Sequence, residues 1–164
     1  MGHDTVAGAG GRWPVIDEKF DPTVVLQTSD ASCVSACGEM VLKDRGVGSV
    51  DQATLLAELG SPAITLELAG VLNRLAGVGP WRSAQLNVPA MGERTAIEIL
   101  GLAGSWVAEL REVRAKVGHA VVVDGVNDDN TLTIRDPFDG TSYRMRVEVF
   151  LAYWTWTAVW QEHP

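Results

Sequence analysis

The sequence predicts an α+β fold, with helices first and a mostly antiparallel sheet after them. In the N-terminal part, apolar residues recur at the spacing of an amphipathic helix. The C-terminal part instead holds short β-branched or alternating segments that are separated by turn residues, a pattern typical of antiparallel strands. Helices followed by a run of strands indicate α+β rather than alternating α/β architecture.

The helices are predicted from apolar stripes that end at glycine or proline. The first begins at Cys33 and ends before Gly46, with Ser32 or Asp30 as its N-cap. Further helices are predicted at 51–59, about 65–75 and 92–101. Together they form the helical layer that should pack on the sheet.

The strands are predicted from alternating or β-branched segments. They lie at 81–88, 105–110, 119–126, 131–136, 141–147 and 155–160, with a brief helix before the last of them. The segment VNDDNT at 126–131 indicates a hairpin turn. On the last strand, Trp154, Trp156 and Trp160 should pack on one face, because side chains alternate along a strand.

The predicted hairpin brings a histidine and an aspartate together. A turn between its two strands places Val121 opposite Asp136 and Val123 opposite Ile134. His119 then shares an inward, otherwise apolar face with Asp136, at a diagonal separation of roughly 7–8 Å between backbones. The remaining hairpin residues are expected on a solvent-exposed face: Asp124, Thr131, Thr133 and Arg135.

A cysteine is expected at the same place. Cys33 begins the apolar stripe of the first helix, so its thiol should point toward the face that carries His119 and Asp136. A thiolate at a helix start is a nucleophile, a histidine can move the protons, and a carboxylate can orient that histidine. The backbone N–H of Cys33 and the amide of Gln27 are candidates for an oxyanion hole.

Three short segments resemble a known family: LQTSDASCVSACGEM at 26–40, GHAVVVDGV at 118–126 and IRDPFDG at 134–140. They are similar to bacterial papain-like cysteine peptidases, above all to the double-glycine leader peptidases that process bacteriocins. In that family a Gln stands six residues before the Cys, a His begins a Val-rich strand, and an Asp precedes Pro. Val34 departs from the Gly that usually follows the nucleophile.

The resemblance covers about 24–160 and implies a papain-like fold, with the nucleophile at the start of the first long helix. It implies Cys33 as the nucleophile, His119 as general base and acid, Asp136 as its orienting residue, and Gln27 in the oxyanion hole. Domains of this kind also resemble toxin modules of secreted bacterial effectors. We therefore expect a protease of target-cell proteins, with an immunity or inhibitor protein as a partner. Cleavage of leader peptides after Gly-Gly is the alternative.

Other functions fit some of the same residues. A zinc site could use Cys33, Cys37, His119 and Asp136, although Cys-x3-Cys within one helix is an unusual ligand spacing. Deamidation, acyl transfer and a binding module with an idle site are the remaining possibilities. Cys37 alone is expected to be a packing residue, since free cysteines are among the most buried side chains. No metal or other cofactor is expected.

Composition narrows the function classes. The formal net charge of −8 disfavours nucleic acid, whose phosphates attract clustered Lys and Arg. No apolar run is long enough to predict a membrane span, and the first residues lack the features of a signal peptide. We expect a soluble bacterial protein, either cytoplasmic or delivered to a target cell. The expected organisation is a Gly/Ala-rich flexible leader or linker at 1–11 and a single peptidase domain at 12–164.

Overall fold

The computed structural model describes residues 4–6 (as backbone only), 13–61, 63–77, 79–87 and 92–162. Its α-helices are α1 (Cys33–Lys43), α2 (Gln52–Leu59), α3 (Leu68–Leu75), α4 (Glu93–Leu100) and α5 (Val147–Tyr153), and a 3-10 turn at Thr65–Glu67 leads into α3. Its strands are β1 (Asp4–Val6), β2 (Pro14–Phe20), β3 (Trp81–Gln85), β4 (Trp106–Leu110), β5 (His119–Val126), β6 (Thr131–Asp136), β7 (Thr141–Arg146) and β8 (Trp154–Gln161).

The described strands form one sheet in the order β1-β2-β7-β6-β5-β4-β8-β3. Each neighbouring pair in that order is antiparallel, which confirms the predicted α+β class. β1 and β2 were not predicted. β1 lies within the stretch for which we predicted a flexible leader, and 1–3 and 7–12 lie outside the described residues.

The sheet separates two hydrophobic cores. Helices α1, α2 and α3 cover one face, and its buried residues include Met40, Val41, Leu55, Leu68, Leu72, Val107, Ala120 and Val122. The other face packs against α4, α5 and Trp13, the residue before β2, and its further buried residues include Ile97, Trp106, Val121, Ile134, Tyr143, Phe150 and Trp154. Trp156 and Trp160 pack against this second core, as predicted for the last strand.

Because both faces are covered, the predicted solvent-exposed face of the hairpin is wrong for Arg135 and Thr131, whereas Asp124 is exposed as predicted and Thr133 is half-buried. Arg135 is 6% exposed and Thr131 is 4% exposed. Arg135 binds Asp44, the residue that ends α1, and donates to Asp124 over 2.7 and 2.8 Å. The face that we expected to be wet therefore carries α1, and this ion cluster ties the end of the helix to β5 and β6.

The hairpin register agrees with the prediction only away from the turn. Val123 lies opposite Ile134, as predicted, and Val122 lies opposite Arg135. Nearer the turn the register shifts by one, so that Val126 faces Leu132, and Gly125 has a φ of +145°. This irregularity is a β-bulge, and glycine is the residue that tolerates such a φ. No described helix is both long and apolar enough to cross a lipid bilayer.

Candidate active site

Cys33 is the first residue of α1 and is 9% exposed. Its thiol hydrogen-bonds to the imidazole of His119, the first residue of β5, and to the backbone N–H groups of Ala120 and Val34. Burial on its own raises the pKa of the Cys33 thiol, but these bonds and the charge of His119 outweigh it and lower the pKa. The site therefore favours a thiolate beside an imidazolium.

The path by which the two residues meet differs from the prediction. We expected Cys33 to face the sheet surface that carries His119, whereas α1 packs on the opposite surface, over Ala120 and Val122. Helix and strand instead meet at their first residues. The thiol and the imidazole come together at the start of β5, where side chains from opposite faces of the sheet can approach each other.

The start of α1 lacks a side-chain cap. Ser32 occupies the predicted N-cap position but makes no capping hydrogen bond to the helix. Its hydroxyl accepts from the backbone N–H groups of Thr28 and Ser29, both at 2.9 Å, and donates to the Ser29 carbonyl at 3.0 Å. Ser32 thus holds the preceding loop. The N–H groups of the first helical turn remain directed at the Cys33 side of the site.

His119 connects the thiol to a carboxylate. Its Nε2 lies 2.7 Å from Oδ1 of Asp136, which leaves Nδ1 for Cys33. Burial on its own lowers the pKa of His119, but hydrogen bonds to Asp136 and Cys33, together with their charges, raise it to about 9. At neutral pH the ring is therefore protonated, and it lies between the Cys33 thiol and the Asp136 carboxyl group.

Gln27 lies beside these residues in a cleft. The cleft is lined by Gln27, Asp30, Cys33, Val117, Gly118, His119 and Phe138. The backbone N–H of Gln27 donates to the carbonyl of Pro137 at 2.8 Å, and its Nε2 donates to the carbonyl of Ser29 at 2.9 Å. The second bond orients the side-chain amide and uses one of its two N–H groups. All four residues singled out in the sequence are thus brought to one place.

No protein-family model matches the chain. The chain is 36% identical over 154 residues to cysteine protease effector 1 of Escherichia coli O1:K1:H7. That match covers 94% of the chain but 30% of the relative, so the chain spans less than a third of that protein's length.

Solved structures identify the fold. The peptidase domain of Streptococcus ComA, a bi-functional ABC transporter involved in a quorum sensing pathway, matches with a TM-score of 0.66 at 23% identity, covering 85% of this chain and 97% of that one. The peptidase domain of Streptococcus mutans ComA matches with a TM-score of 0.56 at 20% identity, covering 86% and 99%. The chain has the papain-like cysteine peptidase fold. The fold that the resemblance of the three sequence segments implies is confirmed.

Sequence reasoning missed two residues behind the site of this papain-like domain. Asp136 is fully buried and accepts from the backbone N–H of Phe138 at 3.1 Å and from the hydroxyl of Tyr143 at 2.8 Å. The same hydroxyl accepts from Nε1 of Trp13 at 3.1 Å. Counting outward from the DPFDG turn would have found Tyr143, which faces Ile134 across β6 and β7. No local pattern indicates Trp13.

The second cysteine lies apart from the cleft. Cys37 is fully buried in the core beneath α1, and burial raises the pKa of its thiol. No group of three or more His, Cys, Asp or Glu side chains in the described part of the chain is arranged to hold a metal ion. Within those residues, the zinc alternative has no site.

Proposed function

We propose that the chain cleaves peptide bonds with Cys33 as nucleophile, His119 as general acid and base, and Asp136 as the residue that orients His119. The observation that carries this proposal is the buried Cys33 thiol beside His119 in one cleft, with the imidazole Nε2 of His119 2.7 Å from Oδ1 of Asp136. A pKa lowered at Cys33 and raised to about 9 at His119 favours the reactive ion pair at neutral pH.

The geometry supports the following reaction. The Cys33 thiolate attacks the substrate carbonyl carbon, and the backbone N–H of Cys33 with the free N–H of the Gln27 amide stabilises the oxyanion. His119 gives its Nδ1 proton to the leaving amine as the C–N bond breaks, which leaves a thioester on Cys33. His119 then takes a proton from water, the resulting hydroxide attacks the thioester, and the acid product leaves with the thiolate restored.

As a biological role we propose an effector protease that acts on proteins of a target cell. The support is the sequence relationship to a protein named cysteine protease effector, over nearly the whole of this chain. An immunity protein that blocks the cleft is the partner this role implies. The fold shared with the ComA peptidase domains favours leader-peptide cleavage as the second candidate. Deamidation and acyl transfer would use the same thioester with a different leaving group or acceptor.

The nucleophile is tested by alkylation and activity. Iodoacetamide should modify Cys33 rapidly, with a pH midpoint well below the ordinary thiol value of about 8.5, while Cys37 stays unmodified in the folded protein. Cys33→Ala should abolish peptide hydrolysis, and Cys37→Ala is the matched control that keeps it. Slow, equal modification of both thiols would refute the proposal.

The biological role is tested by expression. An effector protease should be toxic when expressed in susceptible cells, and Cys33→Ala should relieve that toxicity. Harmless expression of an active enzyme that cuts a Gly-Gly leader peptide would favour the second candidate instead.

A further inference from the structure

The carboxylate behind His119 is held by more than its histidine. Oδ1 of Asp136 faces His119 and the N–H of Phe138, whereas Oδ2 accepts from the hydroxyl of Tyr143 at 2.8 Å. Asp136 is fully buried and Tyr143 is 2% exposed, so water does not substitute for this contact. Both carboxylate oxygens are thereby fixed in direction.

Trp13 determines the direction of the tyrosine hydrogen bond. Its Nε1 lies 3.1 Å from the Tyr143 oxygen, and an indole N–H can only donate. Tyr143 must accept from Trp13, so its one hydroxyl hydrogen is left for Oδ2 of Asp136. Burial and the charge of Asp136 raise the pKa of Tyr143, which keeps that hydrogen in place.

Trp13 also contacts the imidazole directly. Its ring is stacked on His119 with centroids 6.1 Å apart and planes inclined by 24°, and Trp13 is fully buried. Trp13 thus covers the His119 ring on one side and reaches Asp136 through Tyr143 on the other. Trp13 is therefore linked to His119 by a ring contact and to Asp136 through the hydroxyl of Tyr143.

We propose that Tyr143 and Trp13 are positioning residues, which orient the Asp136 carboxylate and through it the His119 imidazole for proton transfer. The inference rests on the proposed roles of Asp136 and His119 but adds two residues that touch no substrate. A donor on Oδ2 also disperses the negative charge of the carboxylate, so that Asp136 holds the imidazolium less tightly than an unshared carboxylate would. The imidazolium can then release its proton to the leaving amine.

The charged and titratable groups around His119 define what a titration would report. They are Cys33 at the start of α1, Asp30 in the loop before it, Glu109 on β4, Asp136 on β6, Tyr143 on β7 and Tyr153 on α5. Cys33 and Asp136 act on His119 directly. Replacing Tyr143 by Phe leaves both of these groups in place; it removes the donor on Oδ2 of Asp136 and the acceptor of Trp13 Nε1.

The test is a pH titration of His119 by NMR on the whole chain labelled with 15N-histidine. Tyr143→Phe removes the hydroxyl and keeps the ring. Without the Tyr143 hydroxyl, the Asp136 carboxylate loses one charge-assisted hydrogen bond and holds the imidazolium more tightly. The pKa of His119 should therefore rise by roughly half a unit or more. The alkaline limb of kcat should move up with it, and kcat should fall several-fold while KM is unchanged.

Tyr153→Phe is the matched control, because the chain has two tyrosines and Tyr153 contacts the Trp13 ring from α5. It should leave the His119 titration unchanged. Trp13→Phe should shift the titration in the same direction as Tyr143→Phe but less. If Tyr143→Phe fails to fold, 3-fluorotyrosine incorporated in the Tyr153→Phe background strengthens the donor and should lower the pKa of His119.

An unchanged His119 titration in Tyr143→Phe, or in the fluorotyrosine protein, would overturn the positioning role. A lower melting temperature without a titration shift would assign Tyr143 to stability alone. Because the titration needs no substrate, it can fail or succeed separately from the proposed peptidase activity.

Discussion

Replacing Asp136 by Asn should raise the pH at which Cys33 becomes reactive. The pKa of His119 is about 9 against an ordinary 6.5. The hydrogen bond to Asp136 and the negative charge of Asp136 both raise it, beside the same two interactions of Cys33. The loss of the Asp136 charge should therefore lower the pKa of His119 by roughly one unit or more, which corresponds to about 1.4 kcal/mol.

A weaker base at His119 leaves Cys33 with less imidazolium beside it. The thiol should then ionise at a higher pH, and kcat/KM at neutral pH should fall by roughly tenfold or more. The assay is the rate of iodoacetamide modification of Cys33 across pH, read by mass spectrometry. Asp139→Asn, an exposed change of the same charge in the same turn, is the control. If the Asp136→Asn profile coincides with that of the wild type, Asp136 does not govern the ionisation of Cys33.

Two further predictions follow from the same geometry. In a Cys33→Ala background, the raised pKa of His119 should stabilise the folded state fully below pH about 6.5, and this contribution should be lost as the pH rises through the folded-state pKa. Urea unfolding should then show the free energy of unfolding falling by about 1–2 kcal/mol over that pH range. The fall should be absent when His119→Gln is added. In Gly118→Ala, the new Cβ would lie 2.6 Å from Cγ of Glu109. The Glu109 side chain must then move away from Thr65, to which it is hydrogen-bonded at 2.9 Å, and kcat/KM should fall. A second change, Glu109→Ala, removes the clash and should partly restore kcat/KM.

The helices and most strands were predictable because their signals are local. α1 begins at the predicted residue, Cys33, and the brief helix before the last strand is α5. β2 was missed because its sequence, PVIDEKF, carries apolar residues in only part of its length. Its place in the sheet comes from pairing with β7, more than a hundred residues away, and pattern reasoning does not register such pairing.

The four site residues were named from the sequence, but not the way in which they meet. His119 and Asp136 share one face of the hairpin as predicted, since Val123 pairs with Ile134. The other face was expected to be exposed because α1 was placed on the face that carries His119, whereas it packs over Ala120 and Val122. Which face a helix covers is decided by the whole set of packed layers, so this error could not be avoided from the hairpin alone.

Ser32 illustrates a compromise between stability and activity. A serine that capped α1 would typically stabilise the helix by about 1 kcal/mol, yet its hydroxyl is turned toward Thr28 and Ser29 instead. The loop that forms these hydrogen bonds with Ser32 carries Gln27. The start of α1, which lacks a side-chain cap, faces the thiol of Cys33. Engineering a stronger cap at this position for heat resistance would compete with the nucleophile for the same N–H groups, and so would trade reactivity for robustness.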